Sequence, residues 1–561
     1  MTSVDGSPDE ATTSHRAPLF MMRPLDPDGP PYSRRWAGLL VLCLSLLIVV
    51  MANTALMVAA PRMTEALNLS SSDLQWVIDG YTVPYAALML LFGAIGDKFS
   101  RRGALWIGLV IFAAGSTYGS LADSTTTVII SRVIMGFGAA VIMPATLSLL
   151  VSMFPRSERA RAITLWSATS GLAIALGPLI AGALLVHFSW ESTFLINLPI
   201  VVIAAIAALF VVPPSKAHDA GCPDPVGALL SVIAIASLVY AIIQGAHFGW
   251  SALPVSAAVV AVVGLILFVL WELRCSEPML EVRRFTNRTF SGATLAVFLF
   301  FLVTFGVIYY VAQYMQFVLR MSALETGIRL LPLAAAVFVG AFVSARGIKR
   351  FGIQATVGAG MALGAIGTLL LVRIGDGSTY LDFLPTLILL GLAIGVAQPP
   401  STDAIMGAFP ENRLGVGGGV NDTSLELGGS LGIAILGSIL ATSYTSTISP
   451  TVNAMAKQAA GIPLSPDQAA QAKAVFDAAR ESVGGASIAT DQVRQSIAAM
   501  QSTPAAARQV EILTAQAREL DAAAAHAFSA AVSHTSIIGG AILAIGTALV
   551  TVLLRRSKSD N

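Results

Sequence analysis

The run Gly93-Ala94-Ile95-Gly96-Asp97-Lys98-Phe99-Ser100-Arg101-Arg102-Gly103-Ala104-Leu105 is a short charged hairpin between two apolar runs, 76–96 and 104–122. Each run is long enough to cross a bilayer. Gly93 and Gly96 permit close helix packing or an abrupt turn. Asp97, Lys98, Arg101 and Arg102 do not sit in hydrocarbon, so they mark a membrane boundary. Two readings stay open on these residues alone. The hairpin is either an ordinary basic loop or a device that moves.

Outward from this hairpin the whole chain reads as membrane protein. Its 561 residues are 55% hydrophobic and 12% charged, with a mean hydropathy of +0.76; an ordinary globular chain carries about 25% charged residues. The net charge of +1 leaves no footprint for nucleic acid. Fourteen apolar runs, from 37–57 to 534–554, have spanning length, and helices are the structure they predict. Residues 1–35 lack an apolar core and read as a disordered tail rather than a signal peptide. Cys43, Cys222 and Cys275 are scattered and odd in number, so no structural disulfide is expected.

Orientation follows from the basic residues. One side collects Lys98, Arg101, Arg102, Arg156, Arg159, Arg161, Lys216, Arg274, Arg283, Arg284, Arg288, Arg346, Lys349, Arg350 and Arg413, with Arg34, Arg35, Arg555 and Arg556 at the termini. The other side has Arg62, Arg320 and Arg373. The positive-inside rule makes the first side and both termini cytoplasmic, in a multi-pass protein of the cell membrane. The expected organisation is a cytoplasmic tail 1–35, a six-helix bundle 36–213, a proline-marked linker 214–225 and an inserted helix pair 226–271. A second six-helix bundle, 272–556, follows, with a short tail 557–561. Within it, 443–531 lies outside the cell; it is rich in Ala and Gln, and Lys473, Asp477, Arg480 and Glu481 recur at helical spacing. Two or three amphipathic helices forming a hairpin, or a disordered tether, both fit. Gly340 to Gly352, with Arg346, Lys349 and Arg350, faintly repeats the opening hairpin in the latter half.

Four places carry candidate chemistry. Arg132 lies inside the fourth run, where a bare guanidinium costs several kcal/mol; it is either functional or snorkels to an interface. Asp79 precedes Asp97 by eighteen residues, roughly 27 Å of straight helix at about 1.5 Å per residue. The two then share a face near opposite surfaces, unless Pro84 bends it. Asp79 is placed to attract a cation or a proton, or simply caps a wet helix end. Asp422 and Glu426 are spaced i,i+4, so they share a face and resist ionising together, which suits proton coupling. A wetted helix start is the alternative, and Asp403 lies close enough in sequence to join them. Gly171, Gly177, Pro178 and Gly182 give the fifth run a kink or a tight packing face. The six histidines show no ligand spacing and no Walker loop is present, so neither metal, cofactor nor enzymatic activity is expected, and an ion gradient is the simplest energy source.

Gly93-x-x-x-Asp97-Lys98-x-x-Arg101-Arg102 resembles the loop signature of the major facilitator superfamily. Arg132 with Gly136 and Gly138 resembles its fourth-helix motif, and Gly177-Pro178-x-x-x-Gly182 the antiporter motif. Phe194 to Pro199, Gly327 with Leu331-Pro332, and Glu426-Leu427-Gly428 are also similar to that family. Their order along 36–445 and 530–556 resembles the fourteen-span drug:H+ antiporters, the QacA-like and EmrB-like exporters. The resemblance implies a major facilitator fold, an all-α polytopic protein with fourteen transmembrane helices (6+2+6) in two pseudo-symmetric bundles. It further implies that Gly93, Asp97, Arg101 and Arg102 latch the cytoplasmic side. Three departures stand out. Met51-Ala52-Asn53-Thr54 lacks the family's first-span acid, which leaves Arg132 without that partner. Ser100 replaces a loop glycine, and Ala181 replaces a glycine of the antiporter motif.

The expected function is proton-coupled export of amphipathic or cationic drugs by alternating access, with the bilayer, protons and a small molecule as partners and a monomer as the working unit. Asp79, Arg132, Asp422 and Glu426 are its proton and substrate residues. A dedicated exporter of an endogenous lipid, siderophore or secondary metabolite is the first alternative. A transporter-like sensor or scaffold that binds an envelope partner through 443–531 is the second.

Overall fold

The computed structural model describes residues 32–67, 69, 71–216, 224–248, 250–276, 278–460, 466–500 and 507–555. Most of the expected tails, the centre of the 214–225 linker and Cys222 lie outside the described residues. Cys43 and Cys275 are free thiols.

Among the described residues the chain is helical with no strand. The first bundle comprises α1 (Arg35–Leu67), α2 (Ser71–Phe99), α3 (Arg101–Ser120), α4 (Thr125–Met153), α5 (Arg156–His187), the short α6 (Ser192–Leu195) and α7 (Asn197–Val211). The added pair is α8 (Pro225–Phe248) and α9 (Ala252–Arg274). The second bundle follows as α10 (Arg288–Gln313), α11 (Ala323–Leu370), α12 (Tyr380–Gly407), α13 (Leu414–Ala460), α14 (Pro466–Glu481), α15 (Val483–Met500) and α16 (Ala507–Leu553). Two buried apolar cores result. One is built almost wholly from α1–α7; the other is built mainly from α8–α16 and takes in Ala86, Ala87 and Leu90 of α2 and Ala168 of α5.

Thirteen helical stretches of the described residues are long and apolar enough to span a membrane. The fourteen apolar runs fall on thirteen because 324–345 and 354–373 share one stretch, Leu324–Arg373. That stretch reverses at Gly352, whose φ of 79° and ψ of 174° are open to glycine and strained for other residues. Gly347 lies against Thr356 across the bend, so the basic cluster Arg346, Lys349, Arg350 sits on a helical turn-around.

α2 runs unbroken through Pro84. Ser100 does not loosen the hairpin after it. Its backbone is extended (φ −173°), a conformation any residue adopts, and its hydroxyl accepts from Gly103 N at 2.9 Å to cap α3. Serine therefore supplies a cap where glycine supplies only freedom.

At the end opposite this hairpin, α13 and α16 run well past spanning length, and α14 and α15 dock between them. The Tyr444 hydroxyl donates to Ala479 O at 3.0 Å. Arg320, in a left-handed backbone (φ 55°) after the π-helical turn Tyr314–Val318, ties this region to α10. It donates to Ser487 at 2.6 Å, Asp491 at 3.1 Å and Asp521 at 2.7 Å. Arg494 adds a 2.5 Å contact to Asp521.

Candidate functional site at the seam between the bundles

The two bundles meet along two seams. On one, α5 lies along α11; on the other, α2 and α4 face α13, with α8 packed against both α2 and α13. Glycine permits the contact on each. A Cβ at Gly171 would strike Val337 at 2.9 Å, and one at Gly182 would meet Leu324 at 3.0 Å, so these two glycines form the α5 face toward the other bundle. Gly177 faces the other way. A Cβ there would collide with Thr54 of α1, so the Gly177-Pro178 step packs α5 within its own bundle while Leu179 meets Gly327 of α11. Ala181 is buried beside them, where a methyl group is accommodated.

The opening hairpin closes the second seam. Arg101 Nε donates to Asp97 Oδ1 at 2.7 Å, with both side chains 4% exposed. The other Asp97 oxygen accepts from Gly415 N at 2.6 Å and Val416 N at 3.3 Å, at the start of α13. A carboxylate suits a helix N-terminus, where backbone N–H groups lack helical partners. Arg101 also reaches Glu411 O at 2.5 Å and Ser215 Oγ at 3.2 Å. Its backbone N–H binds Ser215 O at 2.9 Å, and Arg102 donates to Val212 O at 3.3 Å. One ion pair thus gathers α2, α3, the linker and the 411–416 turn. Gly93 and Gly415 allow it, since a Cβ on either would run into the other's carbonyl oxygen.

Deeper along the same seam are the expected acids. Asp422 is fully buried. Its Oδ1 accepts from Asn421 Nδ2 at 2.9 Å, and Asn421 Oδ1 accepts from Thr402 Oγ1 of α12 at 3.0 Å. Its Oδ2 has no hydrogen-bond partner among the described residues. Glu426, half-buried one turn on, is its neighbour. The Tyr85 hydroxyl of α2 faces Glu426 across the seam, short of ordinary hydrogen-bond geometry. Both polar atoms of the buried Gln398 in α12 are also without partners. Asp403 does not join the cluster. Thr402 points at α13, so the next residue, about 100° further round the helix, turns toward Arg159 of α5 instead.

Arg132 is 1% exposed and does not snorkel. Its Nε donates to Val77 O at 3.1 Å, Nη2 to Asn53 Oδ1 at 3.2 Å, and Nη1 reaches Ala52 O at 3.5 Å. The guanidinium stacks on the Tyr81 ring, 4.2 Å from its centre. Asn53 stands in the stretch that lacks the family's first-span acid, so neutral oxygens and a π face offset the cost of burying this charge. From Tyr81 the contact passes to Tyr85, ring centres 5.5 Å apart, and so to Glu426. Asp79 is buried on α2, two residues before Tyr81. Tyr81, Tyr85 and Gln398 carried no weight in the sequence; the i,i+4 tyrosine pair was the available signal.

The chain matches the Major Facilitator Superfamily family model over residues 42–433. It is 31% identical over 525 residues to the multidrug efflux pump LfrA of Mycolicibacterium smegmatis, covering 93% of this chain and 97% of that protein. It is 33% identical over 417 residues to the tetracenomycin C resistance and export protein of Streptomyces glaucescens, covering 73% and 76%. Its fold resembles the crystal structure of the human organic anion transporter MFSD10, with a TM-score of 0.55 at 16% identity over 73% of this chain and 94% of that one. The chain, with the helices and seams described above, belongs to the Major Facilitator Superfamily of membrane transporters, which are not enzymes.

Proposed function

We propose that this protein exports amphipathic or cationic drugs from the cell in exchange for protons, by rocking its two bundles about the seams described above. The observation that carries this reading is Asp422, a fully buried carboxyl with one unpartnered oxygen, one turn from Glu426 and on the seam itself. Its cost falls when the carboxyl takes a proton or faces a cation, and rises when it is left charged and dry. A pump that alternates between those conditions can exchange one for the other. The end-to-end likeness to LfrA, a multidrug efflux pump by name, supports the substrate class.

In this reading the Asp97–Arg101 latch holds the cytoplasmic ends together, and Asp79 captures a cation or proton near the outer mouth. The Arg132–Tyr81–Tyr85 contact links the first bundle's buried charge to Glu426. Everted vesicles test it. Dye efflux is expected to require an imposed pH gradient, and efflux indifferent to that gradient overturns the antiport mechanism.

The likeness to a tetracenomycin C resistance and export protein favours a second reading, export of a single natural product. Resistance spread over chemically unrelated compounds would exclude it.

A further inference from the structure

The added helix pair holds a buried polar site of its own. Asp224 stands at the start of α8 and Glu272 near the end of α9, so the antiparallel pair brings both carboxyls to the latch end. They are 7% and 3% exposed, and α8 itself contains no Asp, Glu, Lys or Arg. Asp224 is well supplied with donors. Its Oδ1 accepts from Val226 N at 3.1 Å and Gly227 N at 2.9 Å, capping α8, and its Oδ2 accepts from Trp271 Nε1 at 2.8 Å. Three donors and a helix N-terminus suit a carboxylate. Glu272 is half satisfied. Oε2 accepts from Leu280 N at 3.1 Å, while Oε1 has no hydrogen-bond partner among the described residues.

The free oxygen has a direction. A Cβ on Gly227 would stand 2.5 Å from Glu272 Oε1 and closer still to Asp224 Oδ2. The two oxygens therefore border the same notch, no more than about 5 Å apart. Two charged carboxylates so placed repel each other in a site with little water. A proton on Glu272 removes one charge and turns Oε1 into a donor facing Asp224.

We propose that Glu272, with Asp224 as its acceptor, is a second proton-binding site, at the latch end and separate from Asp422 and Glu426. The proton comes from water at that end and returns there. Arg413 is the cation facing the site from the 411–413 turn, and its bonds go elsewhere, to Pro278 O at 3.0 Å and Glu281 Oε1 at 3.1 Å. Glu281 also pairs with Arg284 at 2.8 Å. Glu272 is thus left without a cation of its own. The same turn carries Glu411, whose carbonyl receives Arg101, so a charge change at Glu272 acts through Arg413 on the latch. That consequence rests on the transport reading; the proton site does not.

Infrared difference spectra of the full-length protein in lipid, between acidic and alkaline buffer, test the site without any substrate. A carboxylic-acid carbonyl band is expected to survive in the Asp422→Asn plus Glu426→Gln variant, and its loss is expected when Glu272→Gln is added to that variant. Asp224→Asn moves the midpoint of that band to lower pH by about one unit or more, because the neighbouring negative charge helps hold the proton. Arg413→Gln moves it to higher pH. Both shifts are read on the intact Glu272 carboxyl, so the test stands even if Glu272→Gln does not accumulate. A band unchanged when Glu272→Gln is added to the double variant, or a midpoint indifferent to both neighbours, overturns the proposal. A midpoint that follows added sodium or magnesium ions instead of pH overturns it in favour of a metal-cation site.

Discussion

Asp97→Asn tests the latch with the smallest change of shape. The native carboxylate accepts Arg101 on its own side and two backbone N–H groups of α13 across the seam. Asparagine keeps one acceptor and loses the charge, and its amide then points a donor at either Arg101 or the start of α13. Removing one partner of a buried ion pair costs about 3–5 kcal/mol in all. Only the part made across the seam biases opening, because Asp97 and Arg101 travel together in the first bundle. Hydrogen bonds to a charged group are worth about 1.5–3 kcal/mol each and neutral ones about 0.5–1.5. Weakening the Gly415 and Val416 bonds to neutral strength therefore shifts the seam by about 2–3 kcal/mol, a factor of roughly 30 to 150 toward the open form.

Spin labels at Phe99 and Glu411, both exposed and on opposite sides of the latch, read that equilibrium in a background with the three cysteines replaced. Asp97→Asn is expected to replace a single short-distance population with a broad, longer one. Ser215→Ala removes only the 3.2 Å contact from Arg101 and is expected to leave the short population dominant. If Asp97→Asn retains the native thermal midpoint and the native distance distribution, the carboxylate does not hold the seam and the latch reasoning fails.

Four further outcomes follow from the same geometry. Gly415→Ala places a methyl against the Gly93 carbonyl and 2.8 Å from Asp97 Oδ2; the short population should vanish and efflux fall at least tenfold, as read by the same labels and a dye assay. Asn53→Asp supplies an acid 3.2 Å from Arg132, and the thermal midpoint of the purified protein should rise, by the worth of about 1–2 kcal/mol. Glu426→Gln should abolish efflux driven by a pH gradient while dye binding, followed by anisotropy, persists. Asp521→Ala removes partners of Arg320, Arg494 and Thr490, about 1–2 kcal/mol in all; limited proteolysis of 443–531 should then run roughly five to thirty times faster.

What was legible in this sequence was whatever the bilayer dictates. Lipid forces long apolar runs into helices, and charges such as Arg101 and Arg102 interrupt those runs, so the helical architecture and the hairpin can be read from residue type alone. The exception at Gly352 is instructive. The basic, glycine-containing turn leaves helical geometry only at Gly352, where two helices meet at a kink, and residue type does not reveal a dihedral angle. Side-chain partnership was far less legible, for a different reason. A buried charge announces itself in sequence, but its neutral partners do not. Arg132 stood out; Asn53, Val77 O and the Tyr81 ring that hold it are ordinary residues in ordinary places. Glu426 stood out, and Tyr85 did not. Asp224 and Glu272, nearly fifty residues apart, had no reason to be paired until α8 and α9 were folded against each other. In the antiport reading proposed above, this chain couples protons without the first-span acid. A salt bridge to Arg132 would lock that charge to one partner, whereas neutral oxygens and an aromatic face leave its field to act along α2 toward Tyr85 and Glu426. Asn53→Asp therefore tests this cradle directly. If it raises stability and also slows proton exchange, the neutral cradle is what keeps Arg132 coupled to the seam; if exchange is untouched, the aromatic contact is packing alone.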